Sequence, residues 1–282
     1  MRHHSVLISL LAGAAMLTAC TEQSGEETVE RAFQDVNVID DANLNEVMLT
    51  VGDPNEAVTY FQRVVGEQPE NIEFHRGLSQ SLVRAKRYDE ASAAWQRTVA
   101  LSGATDDDRV ELADAMIRSG DWSGAEKTLT AIPPTHETFK RYRLEAIVAD
   151  SKQQWKKADS FYEIAVGLTT SPAPVLNNWG YSKLTRGDYK DAERLFTSAV
   201  TQDGSLFTAK NNLVLARGAQ RNYNLPVVPM DQSERAQLLH TMALSAIKQG
   251  DVETGKGLLR EAIDTHPQHF EAASRSLAAL EA

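Results

Sequence analysis

Alanine recurs in one register along this chain, at Ala57, Ala91, Ala125, Ala158 and Ala192, with spacings of 34, 34, 33 and 34 residues. Just ahead of each stands a turn pair: Asp53-Pro54, Arg87-Tyr88, Asp121-Trp122, Gln154-Trp155 and Asp188-Tyr189. Four residues after each comes Phe61, Trp95, Leu129, Tyr162 or Phe196. A further copy follows at Gly250-Asp251-Val252, with Gly255 in the alanine place, Leu259 in the large-residue place and Ala262 beyond it. A period held this long makes each copy one supersecondary unit whose apolar face only a neighbouring copy can cover.

The clearest copy, residues 176–199, predicts two amphipathic helices folded back on each other across Gly187-Asp188. Small residues at Gly180, Ala192 and Ala199 mark where the two backbones approach. Leu176, Trp179, Tyr189 and Phe196 are expected to fill the space between helices, and Pro69 and Pro267 fall where second helices end. The order of these residues resembles the tetratricopeptide repeat, a 34-residue helix-turn-helix unit, over roughly residues 40–282. That resemblance implies an all-α fold, a tetratricopeptide-repeat α-solenoid whose hairpins form a right-handed superhelix with the first helices lining a concave groove.

Several stretches depart from the repeat in ways that carry structure. Pro54 replaces the usual aromatic in a degenerate first copy, as expected of a solenoid's end. Asp106-Asp107-Asp108 opens a first helix, where carboxylates are favoured by the helix dipole; no glycine and later glutamate complete a calcium loop. Pro133-Pro134 stops the second helix of that copy. Residues 207–219 form a first-type helix without a partner, because Arg221 to Met230 carries Pro226 and Pro229. A final helix places Phe270, Ala273, Leu277 and Leu280 on one face as a C-terminal cap.

The N-terminus is of another kind. A basic start (Arg2, His3, His4) precedes an apolar run from Val6 to Leu17, the layout of a secretory leader. Leu17-Thr18-Ala19-Cys20 resembles the bacterial lipobox, which implies lipidation at Cys20, the only cysteine in the chain. Acyl chains at that residue would hold the protein stably at a membrane. Thr21 rather than Asp follows, which points to the outer membrane, periplasmic face. The organisation expected is a signal peptide (1–19), an acidic flexible tether (20–38), a repeat array (39–219), a Pro-rich linker (220–233), and a C-terminal hairpin with its cap (234–282).

Chemistry is sparse. The chain shows no phosphate-binding glycine loop, nucleophile elbow, H-E-x-x-H or C-x-x-C motif, so no catalytic residue, metal site or cofactor is expected. His266 and His269 flank a turn, while His75, His136 and His240 are isolated. Trp95, Trp122, Trp155 and Trp179 occupy repeat or turn positions and are expected in the core. A net charge of −10 argues against nucleic acid, whose phosphates need a basic face.

Protein partners are the expectation instead. The repeat resemblance implies that an asparagine at the sixth position of a first helix contacts a bound peptide backbone. Asn178 and Asn212 hold that position, with Tyr181 and Leu215 three residues on. An amide offers both a donor and an acceptor to an extended chain. Lipobox, acidic tether, repeats and the segment from Gly250 to Ala262 together resemble the TadD-type lipoproteins of the tight-adherence (Flp) pilus assembly system. That resemblance implies a non-enzymatic scaffold whose partner is the outer-membrane secretin or another Flp component. Scaffolds for outer-membrane protein assembly, cell-wall synthase activation or type IV pilotin work share this architecture, as does an accessory subunit of a periplasmic maturation complex.

Overall fold

The computed structural model describes residues 41–281, which fall into two compact units divided between Arg87 and Tyr88. Cys20, the leader and the tether lie outside the described residues. Every regular element among the described residues is an α-helix.

The first unit holds α1 (Asp41–Thr50), α2 (Pro54–Glu67) and α3 (Ile72–Arg84). Asp53 caps α2, accepting from the backbone N–H of Asn55 and Glu56 at 2.9 and 3.1 Å, and Pro54 starts the helix where its missing N–H costs nothing. Arg84 donates to the carbonyl oxygens of Met48 and Gly52 at 2.7 and 2.8 Å, satisfying the open end of α1.

The second unit runs through α4 (Tyr88–Thr98), α5 (Asp106–Ser119), α6 (Trp122–Thr130), α7 (Phe139–Ser151), α8 (Trp155–Gly167), α9 (Ala173–Thr185), α10 (Tyr189–Gln202) and α11 (Phe207–Ala219). It closes with α12 (Gln232–Lys248), α13 (Val252–Thr265) and α14 (Glu271–Glu281). Consecutive helices pack on one another, α11 and α12 running in the same direction because the strap replaces the helix between them, and the first helices α5, α7, α9 and α11 also touch one another in turn.

The turn pairs are helix starts. Asp121, Gln154, Asp188 and Asp251 are the N-cap residues of α6, α8, α10 and α13. Gly187 supplies the positive φ of +83° that the turn into α10 requires. Thr105 and Asp108 form a reciprocal capping box at α5, so one of the three aspartates is spent on the backbone. Asp106 pairs with Arg109 at 2.5 Å.

The alanine places are fully buried, and so are Phe61, Trp95, Leu129, Tyr162, Phe196 and Leu259. The reason is visible at Gly180: a Cβ there would stand 2.7 Å from Cε1 of Phe196, inside van der Waals distance. Two expected core residues lie elsewhere. Tyr189 and Trp122 are 38% and 39% exposed, because each is the first residue of its helix, where the side chain projects past the packed interface. Trp155 is half-buried, with the Arg186 guanidinium 5.5 Å above its ring.

Residues 220–231 replace a second helix with an extended strap. Val228 packs on the clusters around Leu195 and Phe196, and Leu225 packs on those around Leu238 and Leu239. The strap thus fills the space the absent helix would have occupied, and α12 packs directly on α11. Phe270, Leu277 and Leu280 of the last segment cover Leu259 and Ala262.

Candidate partner-binding surface

The first helices α9 and α11 carry the residues singled out for partner binding. Tyr181 on α9 is 55% exposed, a large side chain standing free in solvent. Asn178, one turn earlier, and Leu215 on α11 are half-buried. Asn212 is only 8% exposed, and its Nδ2 donates to Oδ1 of Asn177 at 3.0 Å. On α11, the neighbouring Asn211 accepts from the Thr241 hydroxyl of α12 at 2.8 Å. Asparagines therefore tie α9 to α11 and α11 to α12, and the structure spends one amide hydrogen of Asn212 on that tie. Tyr181, Asn178 and Leu215 are the three that keep part of their surface open to solvent.

Between α8 and α9 the fold concentrates charge that no motif announced. Asp159 accepts from Trp179 Nε1 at 2.7 Å, Arg186 at 2.5 Å and Lys183 at 3.1 Å. Burial pushes its carboxyl up, but the hydrogen bonds from Arg186, Trp179 and Lys183 outweigh that and hold it below the ordinary aspartate value. Asp150 on α7 sits beside it in a different balance. Ser182 and Tyr162 donate to it at 2.8 and 3.0 Å, yet burial keeps its carboxyl above the ordinary value. Burial and the adjacent Asp150 push the Tyr162 phenol far above its usual range, so it acts only as a donor. These groups join three successive helices.

His240 on α12 lies edge-on to the Phe270 ring, with its Nε2 3.3 Å from the Ser276 hydroxyl. His266 stacks on the same ring and bonds to the backbone at Gln268. Among the described residues, no three His, Cys, Asp or Glu side chains gather as metal ligands, and no helix is long and apolar enough to cross a membrane.

Two segments match known family models. Residues 48–102 match one tetratricopeptide-repeat model and residues 238–269 match another. The fold is a tetratricopeptide-repeat solenoid. No curated protein matches the chain. Among solved structures, a tetratricopeptide repeat protein from Parabacteroides merdae superposes with a TM-score of 0.55 at 12% identity, over 92% of this chain and 100% of that one. The C-terminal part of a repeat protein from Cytophaga hutchinsonii gives 0.52 at 13% identity, over 82% and 97%. The APC/C hetero-tetramer Cut9–Hcn1 gives 0.60 at 14% identity, over 84% of this chain and 48% of that chain, so this chain spans about half of its length. At such identities the likeness is one of fold. Tetratricopeptide-repeat solenoids are protein-interaction scaffolds, and the exposed Tyr181 on a row of first helices suits that use.

Proposed function

We propose that this chain is a lipid-anchored scaffold at the periplasmic face of the outer membrane, serving assembly of the Flp (tight-adherence) pilus. The observation that carries the reading is the order Leu17-Thr18-Ala19-Cys20, then an acidic spacer, then a tetratricopeptide-repeat solenoid. Acylation at Cys20 would hold the solenoid near the membrane, where a partner segment is met at raised effective concentration. The solenoid offers Tyr181, Asn178 and Leu215 to such a segment, and the outer-membrane secretin is the partner proposed. The protein performs no chemistry of its own in this reading; it helps the secretin reach or hold its place.

The test is a crosslinking pull-down of the acylated protein from native envelopes, read by mass spectrometry. Secretin or other Flp components at the head of the recovered proteins are expected. Barrel-assembly or cell-wall proteins there instead would overturn the pilus assignment. A Cys20→Ser chain is expected to leave the membrane fraction; retention there would show that lipid is not what holds it.

A further inference from the structure

Two rows of side chains, one helical turn apart, cross the first-type helices α7, α9, α11 and α12. The polar row holds Arg143, Asn177, Asn211 and Thr241, the first three spaced by 34 residues. It is tied across helices: Asn177 accepts from Asn212 at 3.0 Å, and Asn211 accepts from Thr241 at 2.8 Å. Three or four residues beyond these ties stand Tyr181, Leu215 and Leu244, an apolar row. The ties set their level, so the three lie side by side on successive helices. They do so although Leu244 follows Leu215 by 29 residues rather than 34. The strap shortens the chain without breaking the row. Tyr181 and Leu244 are 55% and 45% exposed, and Leu215 is half-buried.

The charge on these helices is one-sided. Helices α9 and α11 contain no Asp or Glu. The carboxylates of α7 and α12 are committed: Glu145 to Arg141, Asp150 to Ser182 and Tyr162, and Glu234 to Lys210. Of the eight Lys and Arg side chains on the four helices, six pair with carboxylates of the described residues. The other two are Arg143 and Lys248. Arg143 is half-buried at the α7 end of the polar row, and its Nε has no hydrogen-bond partner. Lys248 is exposed, one turn beyond Leu244 on the same face of α12. An unpaired cation therefore flanks the apolar row on each side, in a chain whose net charge is −10. An acidic group at each end of an apolar segment is what this surface is short of.

The spacing of the row selects a conformation. Packed helices lie about 8–10 Å apart, so Tyr181, Leu215 and Leu244 recur at about that interval. A polyproline-II chain rises about 3.1 Å per residue with three residues per turn, so every third side chain shares one face at about 9.3 Å. Alternate side chains of a strand recur at about 6.6 Å, and turns of an α-helix at about 5.4 Å; both fall out of step. Polyproline-II carbonyls are also unbonded within their own chain. The Asn178 amide and the Tyr181 phenol, without hydrogen-bond partners among the described residues, can donate to them.

We propose that the partner segment received by this surface is a polyproline-II stretch with an apolar residue at every third position and an acidic residue at each end. Its apolar side chains meet Tyr181, Leu215 and Leu244, and its carboxylates meet Arg143 and Lys248. This rests on the reading of the first helices as a partner-binding surface, and it names the chemistry of what they bind.

The experiment is fluorescence anisotropy with the full chain and three labelled probes. The first is fluorescein-Asp-Pro-Pro-Leu-Pro-Pro-Leu-Pro-Pro-Leu-Pro-Pro-Asp-amide, which presents the same pattern in either direction. The second has Lys at both ends, and the third carries the same leucines at every second position. The first probe is expected to bind about tenfold more tightly than either of the others. Lys248→Glu is expected to narrow the preference for Asp over Lys ends, and Leu244→Glu to weaken the first probe about tenfold. Both side chains are exposed, so both variants fold. Equal affinity for the three probes, absence of saturable binding, or indifference to both variants would overturn the proposal. So would binding lost on Tyr181→Ala but kept in Leu244→Glu, because the row would then end at the strap. If the probes fail while the envelope pull-down still recovers a partner that Tyr181→Ala releases, this inference falls and the scaffold reading stands.

Discussion

Trp179 of α9 donates its indole N–H to Oδ1 of Asp159 in α8 at 2.7 Å, and the same carboxylate takes Lys183 from α9 and Arg186, which caps the end of α9. One side chain therefore holds the seam between two successive repeats. Arg186 and Lys183 are each only 12% exposed; removing Asp159 takes away the ion pair of Arg186, while Lys183 keeps Asp188 at 3.5 Å and Asp191 at 3.7 Å. Asp159→Ala is expected to cost about 1.5–3 kcal/mol, the range for a lost hydrogen bond to a charged group. Denaturant unfolding followed by tryptophan emission measures it. The folded carboxyl titrates below its unfolded value, so its contribution is present above about pH 4 and is lost as pH falls through the folded value. The difference between wild type and Asp159→Ala should shrink in that acid range.

Gly180→Ala sets two effects against each other. Alanine gains up to about 1 kcal/mol in helix propensity. Its Cβ would press on Phe196, whose ring is fully buried, and overpacking costs about 1–3 kcal/mol. A net loss of stability is expected. Gly257→Ala in α13 meets no atom within 4 Å, so there the propensity gain stands alone and stability should rise. Thermal unfolding of both variants checks the pair.

Lys210 and Glu234 bond at 2.8 Å between α11 and α12, but they are unequally buried, at 3% and 24% side-chain exposure. Glu234 also belongs to the capping box of α12. Glu234→Ala strands a buried ammonium and is expected to cost about 3 kcal/mol or more. Lys210→Met leaves a carboxylate that water and the helix end still satisfy, at about 1 kcal/mol or less. Equal losses in denaturation would contradict this asymmetry.

In the strap, neighbouring valines face opposite ways. Val227 is fully exposed, whereas Val228 packs on two core clusters. Val227→Asp is expected to change stability by less than about 0.5 kcal/mol. Val228→Asp puts a carboxylate against Leu195 and Phe196, and should lower the unfolding midpoint sharply. Differential scanning calorimetry distinguishes them.

Burial lowers the His240 pKa below the ordinary histidine value. The unfolded chain then takes up the proton first as pH falls. Stability is expected to be full above about pH 7 and to decline through the folded pKa on acidification. His240→Gln should flatten that slope between about pH 7 and pH 5; an unchanged slope would assign the loss to other groups.

Much of this fold was legible because its determinants are local. Helix starts at Asp53, Asp121 and Asp251, the turn at Gly187, and the stop at Pro133-Pro134 depend on residues within a few positions of one another. The alanine register marked buried positions because a 34-residue unit repeats its own packing. Tyr189 and Trp122 misled because a turn position, seen in one dimension, does not say which way the first side chain of a helix points.

What the chain's order determined by itself is the repeat, its hairpins, its buried small residues and the strap that breaks the series after Ala219. Tertiary structure alone decided that Asp159 gathers Trp179, Lys183 and Arg186, that Asn177 takes an amide hydrogen of Asn212, and that a short α6 leaves a pocket open over α7. The physical reason is rotational. Each residue turns a helix by about 100°, so which polar side chains meet across a seam depends on how the two helices are rotated against each other. Packing fixes that rotation over many residues at once, and no single stretch of sequence carries it.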